Sequence, residues 1–119
     1  MSDTPTNPHE ATLRAAALAY PETHEDRPWG ERALKVRGKT FMFLSASEDR
    51  LSVTVKLPGT HMAALMFPFV EPTGYGLGKS GWVSARFGTD EEPPMGLLLA
   101  WLDESYRAVA PKRLVKTLG

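Results

Sequence analysis

Leu51-Ser-Val-Thr-Val-Lys-Leu57 alternates apolar and polar residues without a break. Leu51, Val53, Val55 and Leu57 fall on one side of an extended chain, and Ser52, Thr54 and Lys56 on the other. A period of two marks a β-strand with one side in a core and the other in water. A chain built round such a strand forms an open sheet whose wet face carries hydroxyls and cations.

Working outward, Ala33 to Arg37 and Thr40 to Leu44 read as two strands of a hairpin that turns at Gly38-Lys39. Trp82 to Phe87 reads as a further strand, with Val83, Ala85 and Phe87 opposed to Trp82, Ser84 and Arg86. Phe67-Pro-Phe-Val70 suits a connection or an edge strand, because Pro68 cannot donate to a ladder. Before it, Thr60 is placed to cap a short helix over His61 to Met66. Asn7-Pro8-His9-Glu10 opens the first helix, with Asn as cap, Pro at the first helical position and Glu where the helix dipole favours an anion. Leu13, Ala16, Ala17 and Tyr20 share a face of it, and Pro21 ends it. Glu22 to Asp26 reads as an acidic loop. After Glu91-Glu-Pro-Pro94, the last helix aligns Leu98, Trp101, Leu102, Ser105 and Val109, pairs Asp103 with Arg107 at i,i+4, and stops at Pro111. The expected fold is α+β in two layers: an antiparallel sheet with helices on one face, in the order α-β-β-β-α-β-β-α. Residues 8–111 form the single domain, between a flexible lead-in (1–7) and a basic tail (112–119).

At 119 residues, with 42% apolar content, the chain is long enough for one domain with its own core. Lys plus Arg and Asp plus Glu number 14 each, so net charge exerts no pull on a polyanion, and any such binding must come from a local patch. The absence of cysteine removes disulfides, thiolate nucleophiles and cysteine-based zinc sites. Neither a signal-peptide pattern nor an apolar run of membrane-spanning length occurs, so a soluble cytoplasmic protein without membrane contact is expected.

The stretch Thr73-Gly-Tyr-Gly-Leu-Gly-Lys-Ser-Gly81 imitates two phosphate-binding motifs. Gly76 to Gly81 fits G-x-G-x-x-G, and Gly78-Lys79-Ser80 resembles the end of a Walker A loop. Both motifs need a helix after the loop, to aim free N–H groups at phosphate, whereas a strand follows here. The Walker pattern also needs glycine where Thr73 stands. Lys79 and the neighbouring N–H groups remain an anion contact in one reading and a plain flexible loop in another. His9, His24 and His61 lack metal-ligand spacing, and none of the serines sits in a nucleophile elbow. Trp101 and Tyr106 read as core aromatics, and Trp29 as a core cap or a surface ring. No catalysis, metal or cofactor is expected.

The wet face itself is the candidate site. With Leu34 and Val36 turned inward, Lys35 and Arg37 point outward beside Lys56, and Arg86 and Trp82 join them from the later strand. Lys39 and Lys79 lie on adjacent loops. Clustered cations with an indole suit a nucleic-acid backbone and an unstacked base. The solvent side of any sheet is polar, so this pattern also arises without a ligand.

Ala17-Leu-Ala-Tyr-Pro-Glu22, Pro28-Trp-Gly30, Leu34-Lys-Val-Arg-Gly-Lys39 with Phe41, Leu51 to Lys56, Gly78-Lys79 with Trp82-Val83, and Leu102-Asp-Glu-Ser-Tyr106 follow one another in an order and spacing that resemble the MmcQ/YjbR family of small bacterial proteins. The resemblance spans about residues 10–110. It implies a fold similar to secretion-chaperone-like proteins with a double-wing arrangement, and a DNA-binding role assigned by fold analogy. It carries over no catalytic residue. The expectation is therefore a DNA-binding module using Lys35, Arg37, Lys39, Lys56, Lys79, Trp82 and Arg86. The alternative is a protein-interaction or chaperone-like module whose partner is another protein or a second copy of the chain.

Overall fold

The structure, a computed structural model, describes residues 7–27, 31–47, 50–74, 77–88 and 90–118. Trp29, the lead-in up to residue 6 and the Glu48-Asp49 connection lie outside these residues. The strand from Arg50 to Lys56 is the fourth of six: β1 (Thr23–Asp26), β2 (Arg32–Val36), β3 (Lys39–Ala46), β4 (Arg50–Lys56), β5 (Val70–Pro72) and β6 (Trp82–Gly88). They form one antiparallel sheet in the order β1-β2-β3-β4-β6-β5. Among the described residues four α-helices accompany it: α1 (Pro8–Leu18), α2 (His61–Ala64), α3 (Met95–Val109) and α4 (Lys112–Lys116). The α+β class and the antiparallel sheet are as expected, and the element order gains β1 and α4.

Alternation in β4 holds along its length. Leu51, Val53, Val55 and the following Leu57 are buried, while Ser52, Thr54 and Lys56 are half-buried on the far side. The pairings Leu44–Val53–Ala85–Val70 and Met42–Val55–Val83 build the core face across the sheet. Leu13 and Ala17 of α1, and Leu98, Trp101, Leu102 and Tyr106 of α3, complete that core. The hydrophobic driving force thus closes only one side of the sheet.

Four local readings are corrected. Glu22 to Asp26 is not wholly a loop: Thr23–Asp26 pairs with β2 as an edge strand. Its core-side Glu25 meets Arg14 of α1 at 2.5 Å and Arg32 of β2 at 3.0 Å, and Arg32 also reaches Glu10 at 3.2 Å. Charge neutralisation stands where apolar contact would be expected. The hairpin turns at Arg37-Gly38 instead of Gly38-Lys39, with φ of 53° and 83° at those two residues. Positive φ at both central positions suits the twist of the flanking strands. Thr60 does not cap α2; its hydroxyl donates to Glu104 at 2.7 Å. Residues 112–116 are not a loose tail but the helix α4, anchored by buried Leu114. Asn7 caps α1 as expected, accepting from the amides of His9 and Glu10.

Two contacts set the geometry at the end of the sheet that carries the hairpin turn. At the β2–β3 pairing the register skips Phe41, a β-bulge, so that Phe41 and Met42 are both fully buried. The β3–β4 register ends at the Met42–Val55 pair, and Phe41 and Lys56 are the residues that follow it on the two strands. There the buried Ser105 hydroxyl of α3 enters the ladder: it accepts from the Lys56 amide at 2.9 Å and donates to the Phe41 carbonyl. One side chain satisfies two backbone groups and joins α3 to two strands.

The first helix is tied to the third through Tyr20, whose hydroxyl donates to Asp103 at 2.7 Å. Burial, followed by the bond to the Asp103 carboxylate and its charge, pushes the Tyr20 pKa from 10.0 up to about 12. The folded state therefore holds this proton more tightly than the unfolded chain. The associated stability is complete below about pH 10 and is lost as pH rises toward about 12. Thermal unfolding followed across that window should show a falling midpoint. Tyr20→Phe should flatten part of the fall, and an unchanged slope would contradict the assignment. Tyr106, raised by burial, shifts in the same direction and accounts for some of the remainder.

Candidate functional site

Among the described residues, α1 and α3 pack on one side of the sheet and no α-helix packs on the other. The register places its side chains in rows. Ala33 of β2, Phe43 of β3, Thr54 of β4, Ser84 of β6 and Glu71 of β5 stand side by side. Ser45, Ser52 and Arg86 form a second row, and Lys56 pairs directly with Trp82 in a third. Phe43 and Trp82 reach toward each other over β4, with ring centroids 6.0 Å apart and planes inclined by 49°. Both rings remain half-buried. Below them Thr54, Ser84 and Thr73 link hydroxyl to hydroxyl at 2.9 and 3.0 Å.

The seven expected contact residues do not converge on one surface. Lys35, Lys56, Trp82 and Arg86 lie on the open face as anticipated. Lys35 pairs with Asp26 at 3.3 Å, and Arg86 pairs with Glu71 of the adjacent strand. Arg37 sits in the hairpin turn, not on the face, and bonds Glu22 at 3.1 Å. Glu22 also receives Arg113 of α4 at 3.0 Å. The Arg113 and Arg37 guanidiniums hold the Glu22 carboxyl below its ordinary range, and Lys35 with the Arg27 amide does the same for Asp26. Lys39 pairs in register with buried Val36, which turns it toward the helical side. Lys79 occupies a short 3-10 turn, Leu77–Ser80, and is exposed. Among the described residues, Lys39, Lys56 and Lys79 have no carboxylate within ion-pair distance. All three lie near the sheet end that carries the hairpin turn, the end of β4 and the start of β6.

The glycine-rich stretch lacks, among the described residues, the α-helix that a phosphate-binding motif needs after it. It leads through the 3-10 turn into β6, with no helix N-terminus after it. Gly81 has φ of 91°, and its carbonyl accepts from the Leu57 amide at 2.8 Å. A Cβ there would lie 3.2 Å from the Leu57 carbonyl oxygen, so close strand approach accounts for this glycine.

Phe43 is the site residue that sequence reasoning missed. Simple alternation puts it on the same side as Phe41. The bulge at Phe41 shifts the phase of β3 and sends the two rings to opposite faces.

The YjbR family model matches residues 18–108, which include the whole sheet and nearly all of α3. The chain belongs to the YjbR family. The crystal structure of the Deinococcus radiodurans protein DR2400, a DUF419 domain protein, superimposes with a TM-score of 0.66 at 24% identity, over 81% of this chain and 74% of that one. At that identity the likeness bears on the fold of this YjbR protein alone. No curated protein matches its sequence. Among its described residues, no helix is long and apolar enough to cross a membrane.

Proposed function

We propose that this YjbR protein is a DNA-binding module without catalytic activity, and that the open sheet face is its contact surface. The observation that supports the reading is the Lys56–Trp82 pair beside Phe43, a cation adjoining two rings on a face that no helix covers. Lys79, exposed on the turn before β6, extends the cationic character at that end of the sheet, whereas Lys39 stands there on the helical side. Lys35 and Arg86 exchange Asp26 and Glu71 for phosphate only at the cost of their ion pairs. The basic surface is thus narrower than the sequence suggests, and affinity should be modest and strongly salt-dependent. A labelled DNA titrated by fluorescence anisotropy should bind at low salt and weaken on raising it. Lys56→Glu should reduce the low-salt affinity about ten-fold, by removing one phosphate contact and adding a repulsion. Absence of binding at low salt would overturn the reading.

A second reading, association with another protein, is favoured by Met62, Met66 and Phe67. These side chains are 71%, 85% and 39% exposed around α2, away from the open face. It is the reading left standing if DNA fails to bind.

A further inference from the structure

We propose that the nucleic acid taken by the open face is single-stranded, with one or two bases stacked on Trp82 and Phe43. This inference rests on the DNA-binding reading and specifies its ligand. Three observations lead to it. The first is shape. The face is a sheet of six strands bearing side chains in rows, and among the described residues no α-helix stands on it to enter a groove. An unpaired base can lie flat on such a platform, whereas a duplex offers it only backbone.

The second observation is the ring pair. Trp82 and Phe43 meet across β4 with Lys56 in register beside the indole. Stacking on the open part of these half-buried rings needs a base released from its own pairing partner, and it tolerates any sequence. The Thr54–Ser84–Thr73 chain beneath contains three hydroxyls but only two bonds between them. One hydroxyl proton is therefore left over, and half-buried Thr54 and Thr73, unlike buried Ser84, are the members of the chain that solvent reaches.

The third is charge. A duplex-binding protein typically neutralises about 6–10 phosphates. Here the open face offers Lys56, with Lys79 on the exposed turn beside it, and neither has a carboxylate partner among the described residues; Lys39 stands at the same sheet end but on the helical side. Two such cations suit a strand of a few nucleotides, for which the logarithm of affinity should fall against that of salt with a slope of about −1.4.

The test compares a short thymine-rich strand with its duplex, each titrated at two salt concentrations. The single strand should bind at least about ten-fold more tightly, and Trp82→Ala should erase most of that advantage while Trp82→Phe retains it. Circular dichroism confirms that the variants fold, and the strand-against-duplex comparison on the unaltered protein stands even if one does not. Equal or tighter duplex binding would overturn the single-strand assignment and leave DNA binding intact. Failure of both nucleic acids to bind would overturn both readings.

Discussion

Arg32→Met is expected to lower the stability of the fold by about 3–5 kcal/mol, the usual result of removing one partner from a buried charge cluster. Arg32 is only 4% exposed and lies between Glu10 of α1 and Glu25 of β1. Its loss leaves two carboxylates in a poorly hydrated seam. Arg14 continues to neutralise Glu25, but Glu10, itself 6% exposed, has no other cation partner among the described residues. Domains of this size are commonly stable by about 5–15 kcal/mol, so the loss is a large fraction of the whole. Because the penalty comes from stranded charge, Arg32→Met combined with Glu10→Gln and Glu25→Gln should recover much of it. Chemical denaturation of the single and triple variants measures both effects. A single variant within about 1 kcal/mol of the parent would show the cluster to be hydrated, as surface pairs are.

Ser105→Ala should cost roughly 2–6 kcal/mol, since it leaves the Lys56 amide and the Phe41 carbonyl without partners at about 1–3 kcal/mol each. Ser105→Thr keeps the hydroxyl and should cost less. Amide exchange gives a local readout: Lys56 should be protected in the parent and exchange faster in Ser105→Ala. If the two strands instead close on each other and restore a direct bond, protection survives and the expectation fails. The same substitution bears on the candidate site, because Lys56 presents its ammonium to the open face from the backbone position that Ser105 holds.

Much of the fold was legible from residue order. Strand β4 declares itself through strict alternation, and β3 and β6 flank it with apolar residues at matching spacing. Strand β1 was not legible, because Thr-His-Glu-Asp contains no apolar residue. Its inward side chain is Glu25, and only the arrival of Arg14 and Arg32 from other elements makes that position tolerable. Helix α4 was hidden by three basic residues that outweigh its single buried anchor, Leu114. The site was partly legible. Lys56, Trp82 and Arg86 could be placed on one face by counting in twos. Their ion pairs could not, since Asp26 meets Lys35 only through the unrecognised strand, and Glu71 meets Arg86 only through a strand that begins at Val70. Phe43 was concealed by a one-residue irregularity that no alternation rule can locate.

The two outer strands have a consequence for how the protein behaves at high concentration. A bare sheet invites other chains to add strands at its borders and grow into fibrils. Here one border is the four-residue Thr-His-Glu-Asp segment with its acidic side chains, and the other is three residues long and ends in proline, which offers no N–H. Neither is a good template for polymerisation, so the molecule can keep a whole face uncovered for a ligand without becoming a seed for its own assembly.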